Sequence, residues 1–141
     1  MTTFAPGWDD LPAPLLDFWT ERHLCTLTTL RADGRPHVVP VGVALDPEQE
    51  CAWVITNPGS VKARHVLRDA GTAEVAACQV DGARWSTLEG TAELRSDAAS
   101  VARAVERYAS RYRQPRENPE RVALRLTVRR FVFGPGLLRV G

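Results

Sequence analysis

Six strand-like runs, most of them joined by short turns, restrict the fold of this chain more than any motif in it does. Residues 24–31 and 37–46 are strand-like, and Ala32-Asp33-Gly34-Arg35-Pro36 supplies the turn between them. A second turn at residues 47–50 leads into Cys51–Thr56, and residues 72–80 and 84–95 form a long hairpin around Asp81-Gly82. The last run is the cleanest: Val122, Leu124, Leu126 and Val128 face one way while Arg125, Thr127 and Arg129 face the other. Three helical segments fill the gaps. Residues 11–23 carry Pro12 and Pro14, which a helix accepts only in its first turn. After Ser60, the residues Ala63, Val66, Leu67 and Ala70 repeat at the spacing of one buried face. Residues 97–112, capped by Ser96 or Asp97, place Val101, Ala102, Val105, Tyr108 and Tyr112 along one stripe. A flat sheet of six hairpin-linked strands exposes its edges, so the expected fold is mainly β (α+β): a six-stranded antiparallel barrel flanked by helices.

Size and charge narrow the function classes. A chain of 141 residues builds one good core, and no low-complexity linker or composition shift divides it, so a single domain over 1–141 is expected. The formal net charge is +1, which provides no general field for nucleic acid or an anionic membrane. No stretch reaches the apolar length of a membrane span. Trp8-Asp9-Asp10 stands where a secretory leader needs basic and then apolar segments. Cys25, Cys51 and Cys78 are odd in number and widely spaced, which suits reduced core thiols and a cytoplasmic protein. Three classes remain for such a barrel: an oligonucleotide binder, an enzyme with a phosphorylated cofactor, and a barrel with no ligand. The first needs aromatics interleaved with basic residues on one groove, whereas Trp8, Phe18 and Trp19 cluster near the N-terminus.

Lys62 is the only lysine among eighteen basic residues. It lies in Asn57-Pro58-Gly59-Ser60-Val61-Lys62-Ala63-Arg64, where a strand ending at Thr56 meets a helix. A helix start exposes unpaired backbone N–H groups at the positive end of its dipole, and a hydroxyl and an ammonium beside them make a cradle for one phosphate. Ser60 as a simple cap and Lys62 as a solvated charge are the competing assignment.

Three ordered blocks carry a family resemblance. They are Leu27-Thr28-Thr29-Leu30-Arg31-Ala32-Asp33-Gly34-Arg35-Pro36-His37-Val38-Val39-Pro40-Val41, Gly59-Ser60-Val61-Lys62-Ala63, and Val80-Asp81-Gly82-Ala83-Arg84-Trp85 with Leu88-Glu89-Gly90. Together they resemble the FMN-binding split β-barrel family of pyridoxamine-phosphate oxidases, over residues 23–129. Glu21-Arg22-His23-Leu24, Gln79 to Trp85, and Arg107-Tyr108 through Arg111-Tyr112-Arg113, Pro115-Arg116 and Asn118-Pro119 are most similar to its deazaflavin (F420) branch, at the biliverdin reductases. The resemblance implies a homodimeric oxidoreductase that moves a hydride from reduced F420 to a conjugated anionic acceptor such as biliverdin. The alternatives are an FMN-binding relative of the oxidases and a flavin or deazaflavin binder without turnover.

The same resemblance implies a site. His37, Val39, Pro40 and Val41 would line the ring, Thr56, Ser60 and Lys62 would hold the phosphate, and Gln79, Arg84 and Trp85 would complete the cofactor site across a dimer cleft. Arg113 and Arg116, with Arg111, would meet carboxylates of the acceptor, since guanidinium forks match them bidentately. Pro40 has no N–H and so belongs at a sheet edge or bulge. The classical FMN binders carry charged residues where this chain has Val39, Ala44 and Val61, which favours F420. No Ser/His/Asp set, carboxylate pair or metal-ligand cluster is visible, and His37, His23 and His65 stand alone, so no catalytic acid is named.

Overall fold

The structure, a computed structural model, describes residues 2–5 and 7–138. Its strands are β1 (Thr2–Phe4), β2 (Cys25–Leu30), β3 (Pro36–Val41), β4 (Ala44–Asp46), β5 (Cys51–Thr56), β6 (Ala73–Asp81), β7 (Arg84–Arg95) and β8 (Val122–Phe133). The helices are α1 (Ala13–Thr20), α2 (Val61–Arg68) and α3 (Ala98–Arg111). All pairings are antiparallel, in the order β3-β2-β6-β7-β8-β5-β4, with β1 against the end of β8.

The closed six-stranded barrel does not form. Eight strands make one open sheet whose edges are β3 and β4, and among the described residues these two form no ladder with each other. The run expected as one strand over 37–46 breaks at Gly42-Val43, and the chain passes there directly from one sheet edge to the other. Without a reversing turn the two pieces cannot pair as a hairpin, and Pro36 and Pro40 remove two of the donors that β3 would offer. The break is packed from outside: a Cβ on Gly42 would lie 2.8 Å from the Tyr108 ring and 2.9 Å from that of Tyr112. Pro40 does lie on an edge strand.

The core fills the concave side of the sheet. Leu27, Ala77, Leu88, Leu124 and Leu126 point into it, and α1 adds Leu15, Phe18 and Trp19. Pro12 precedes α1 and Pro14 lies in its first turn, so neither removes a needed hydrogen bond. A second cluster of Cys51, Trp53, Ala104 and Ala123 sits under α3, whose N-cap Asp97 accepts from the Ser100 N–H at 3.0 Å. The helical stripes differ in detail from the sequence expectation. In α2 only Ala63 and Val66 are buried, and Leu67 is exposed. In α3 Ala102 is exposed, and Ala104 and Arg111 are the buried positions. Both helices lie across a curved sheet, which covers a narrower stripe than helical spacing alone suggests.

β8 is longer than its alternating run. At Gly90 a Cβ would fall on the Thr127 carbonyl oxygen, and the ladder slips there so that Gly90 pairs with Val128 and Glu89 with Arg130. Arg129 is the extra residue of this bulge. Even-numbered residues face the core before it, and Phe131 and Phe133 do so after it.

Candidate functional site

The turn from β5 into α2 is held by its own side chains. The Thr56 hydroxyl donates to Ser60 Oγ at 3.0 Å, and Ser60 Oγ accepts from the Ala63 N–H at 3.2 Å as the N-cap. Ser60 is therefore a cap, as the plainer assignment holds. Lys62 fits that assignment less well. It is half-buried, burial lowers its pKa below the ordinary lysine value, and among the described residues it has neither a hydrogen-bond nor an ion-pair partner. Arg31 and Arg64 are also unpaired among the described residues, so this end of the protein collects cations with little compensation.

One turn after Lys62, His65 reaches back over the sheet. Its Nδ1 is 2.9 Å from the buried Thr29 hydroxyl, and its ring meets that of His37 edge-on at 5.4 Å. Burial first, then the neighbouring Arg68, His37, Arg31 and Arg64, lower the His65 pKa and favour the neutral ring. His37 Nδ1 is buried and makes no hydrogen bond among the described residues, a polar atom still wanting a partner. Sequence spacing did not single out Thr29 or His65. The available signal was His65 standing three residues after Lys62, on the same helix face.

From His37, β3 runs to Val41, about 13 Å at strand rise. Val39 and Val41 point inward, Val39 packing on the core, and Pro40 is exposed on the outer face. Ala44 lies buried in β4, paired with Trp53, and Val61 is half-buried at the start of α2. No charged side chain enters from these three positions.

Gln79, Arg84, Trp85, Arg111 and Arg113 fall toward the other end of β3, whereas the loop of Arg116 is tied to the turn into α2 by Asn118 Nδ2, which donates to Asn57 Oδ1 at 2.6 Å. Gln79 is 1% exposed. Its amide donates to Phe18 O at 2.9 Å and its carbonyl accepts from Arg111 at 2.7 Å. Arg111, expected to face the acceptor, is itself buried. It also donates to the backbone carbonyls of Glu21 and Val43 and lies over the Trp19 and Tyr112 rings. Two of its acceptors, Phe18 O and Glu21 O, lie at the C-terminal end of α1, where a cation complements the helix dipole. Arg111 is thus a structural tie, a role its place in a basic segment conceals. Arg84 bonds Glu21 at 3.0 Å and Asp81 at 2.6 Å and stacks over Phe18 at 4.8 Å. Trp85 is half-buried against Gly134. Arg113 and Arg116 are exposed and line two different depressions.

The geometry therefore gathers cations with little compensation, Lys62 among them, beside the start of α2, and an aromatic, cationic group of side chains near Val41. A family model described as pyridoxamine 5'-phosphate oxidase matches residues 11–133. The chain belongs to that family. A family relative, the F420H(2)-dependent biliverdin reductase of Mycobacterium tuberculosis (strain CDC 1551 / Oshkosh), is 50% identical over 123 residues, which span 87% of this chain and 88% of that protein. Among solved structures, a conserved hypothetical protein of Mycobacterium tuberculosis superposes with a TM-score of 0.72 at 26% identity, over 87% of this chain and 83% of the other. A protein described as an F420 reductase superposes with a TM-score of 0.63 at 23% identity, over 88% and 98% of the two chains. That last likeness speaks to the shared family fold.

Proposed function

We propose that this protein is an F420H2-dependent oxidoreductase whose acceptor is a conjugated anion, biliverdin first among them. The observation that carries the reading is the 50% identity, over nearly the whole chain, to the mycobacterial biliverdin reductase. The site fits such a coenzyme on its own terms. An uncompensated, half-buried Lys62 beside the Ser60-capped start of α2 suits one phosphate, and His37 Nδ1 has a hydrogen bond left to make. When bound, the reduced deazaflavin supplies the hydride. The chain's own residues would hold the coenzyme: Lys62 and the α2 N–H groups would fix the phosphate, and the β3 edge with exposed Pro40 and half-buried Val39 would offer the ring an apolar approach, Val41 being taken up by the core.

FMN is the competing cofactor. Val39, Ala44 and Val61 give its phosphate no charged contact, and each missing charge-assisted bond costs about 1.5–3 kcal/mol. F420 is therefore expected to bind more tightly by orders of magnitude in side-by-side calorimetric titration. A yellow protein straight from expression, with FMN bound as tightly as F420, overturns the reading. Loss of the reduced-F420 signal on adding biliverdin tests turnover; binding of F420 without oxidation makes the chain a carrier.

The reading takes the chain as one domain that works as a homodimer. Its support is the outer face of β3, β2 and β6, where Val38, Leu30 and Val80 share one side of the sheet and are 55%, 38% and 67% exposed. A second copy there would cover apolar surface and lend the site a further wall. Light scattering that gives a monomer with full coenzyme affinity removes the dimer from the proposal. Three free cysteines suit a reducing compartment, in keeping with a cytoplasmic protein, and no described helix is long and apolar enough to cross a membrane.

A further inference from the structure

Among the described residues, seven arginines are ion-paired: Arg35, Arg68, Arg84, Arg95, Arg103, Arg129 and Arg130 each meet a carboxylate. Arg22 and Arg113 do not: among the described residues neither makes an ion pair, and both are exposed at the mouth of a cleft of about 380 Å³. Leu24, Tyr108 and Tyr112 form the rest of its wall, and Leu24 is 73% exposed. The two tyrosine rings lie 5.0 Å apart, tilted by 32°.

The two tyrosines have different duties. The Tyr112 hydroxyl accepts from the Val43 N–H at 3.1 Å and donates to His23 O at 2.6 Å, which fixes that ring. The Tyr108 hydroxyl has no partner among the described residues, and its ring lines the cleft beside the fixed one. Both rings rest on Gly42, the residue that directly follows the β3 wall. A ligand in the cleft would therefore lie next to whatever occupies Val39–Val41.

We propose that this cleft is the acceptor subsite: it takes one end of a planar conjugated anion, stacked on Tyr108, with its carboxylates paired to Arg22 and Arg113. This rests on the reductase reading above and assigns the part of the molecule that receives the hydride. Guanidinium forks match carboxylates, an aromatic ring offers a flat conjugated molecule its face, and Leu24 extends the apolar contact. The volume suits a ligand-sized fragment rather than an ion alone. Adjacency to β3 meets the requirement that donor and acceptor be held side by side. Arg116 has no part in this subsite. It lines a separate groove with Val105, Pro115, Asn118, Pro119 and Arg121.

The test is equilibrium binding to the full chain without coenzyme, using biliverdin and biliverdin dimethyl ester, which keeps the conjugated system and removes both charges. The parent protein should prefer the diacid. Arg22→Ala/Arg113→Ala should weaken diacid binding by about 10- to 100-fold, leave the ester within about twofold, and leave F420 affinity unchanged. Tyr108→Ala should weaken diacid and ester alike. Unchanged diacid preference in the double variant overturns the assignment, as does a parallel fall in F420 affinity, which would make the cleft a coenzyme site. A parent protein that binds neither compound overturns it as well. The reductase reading fails separately, by absence of F420H2 oxidation. A variant that loses the diacid in a chain without turnover leaves the subsite standing and removes the activity.

Discussion

Arg111 and Lys62 are both cations drawn away from water, and the protein treats them in opposite ways. Arg111 is 7% exposed, and its donors reach the Gln79 carbonyl and three backbone carbonyls from α1, the loop after it and the Gly42-Val43 break. Lys62 keeps its ammonium half in water with no partner among the described residues. A buried charge surrounded by oriented carbonyls ties elements together. A cation left uncompensated beside a helix start keeps its interaction energy for something that arrives later. The first is architecture; the second is, on the function proposed above, a reserved contact.

The comparison breaks most visibly at Arg111. Replacing it by Met keeps much of the volume and orphans several buried acceptors, each worth about 1–3 kcal/mol, so urea unfolding should show a loss of about 3–5 kcal/mol. A loss below about 1 kcal/mol would mean that water replaces the guanidinium and that the tie is dispensable. Lys62→Ala should do the reverse. Apo stability stays within about 0.5 kcal/mol, while F420 binding weakens about 10- to 100-fold, the worth of one charge-assisted contact. Unchanged affinity returns Lys62 to the role of a surface charge.

Asp46 sharpens the architectural side. Its buried carboxylate accepts from Arg103 at 2.7 and 2.8 Å, from Trp53 Nε1 at 2.9 Å and from the Gln49 N–H at 3.2 Å. Burial raises its pKa, but Arg103, Trp53 and Gln49 together outweigh that and hold it at about 2, below the usual 3.8. A depressed carboxylate stabilises the fold above its unfolded value and ceases to as pH falls through the folded one. Acid titration should therefore remove about 2 kcal/mol between roughly pH 4 and pH 2, and Asp46→Asn should lack that component. An identical acid profile in the variant would place the dependence elsewhere.

The sequence carried the local elements well. β5 and β7 have the bounds that alternation indicates, and the Asp81-Gly82 hairpin and the Asp97 cap follow from turn and cap chemistry. The global arrangement was less visible. Closure was inferred from the cost of exposed edges, but Gly42 divides what reads as one strand and sends its halves to opposite edges. The need for glycine there arises from tyrosines some seventy positions later in the chain. β1 is three residues long and has no pattern of its own; its partner strand defines it. For the site, Lys62 stood out by composition, whereas the burial of Gln79 and Arg111 depends on three distant segments meeting, which no spacing rule encodes. Arg22 likewise gains meaning only beside α3.

The bulge at Gly90 has a consequence for how this protein can vary. With Arg129 as the extra residue, two successive arginines both face outward, Arg129 meeting Glu74 and Arg130 meeting Glu89. Substituting Arg129 touches only an exposed, solvent-screened pair. Deleting it would remove the bulge and restore strict alternation with Val128, Phe131 and Phe133 all still on the core face and β1 still opposite its partner residues. At this point the strand is tolerant of chemistry and of losing its extra residue, so among related chains side chains should drift here and the bulge itself should come and go.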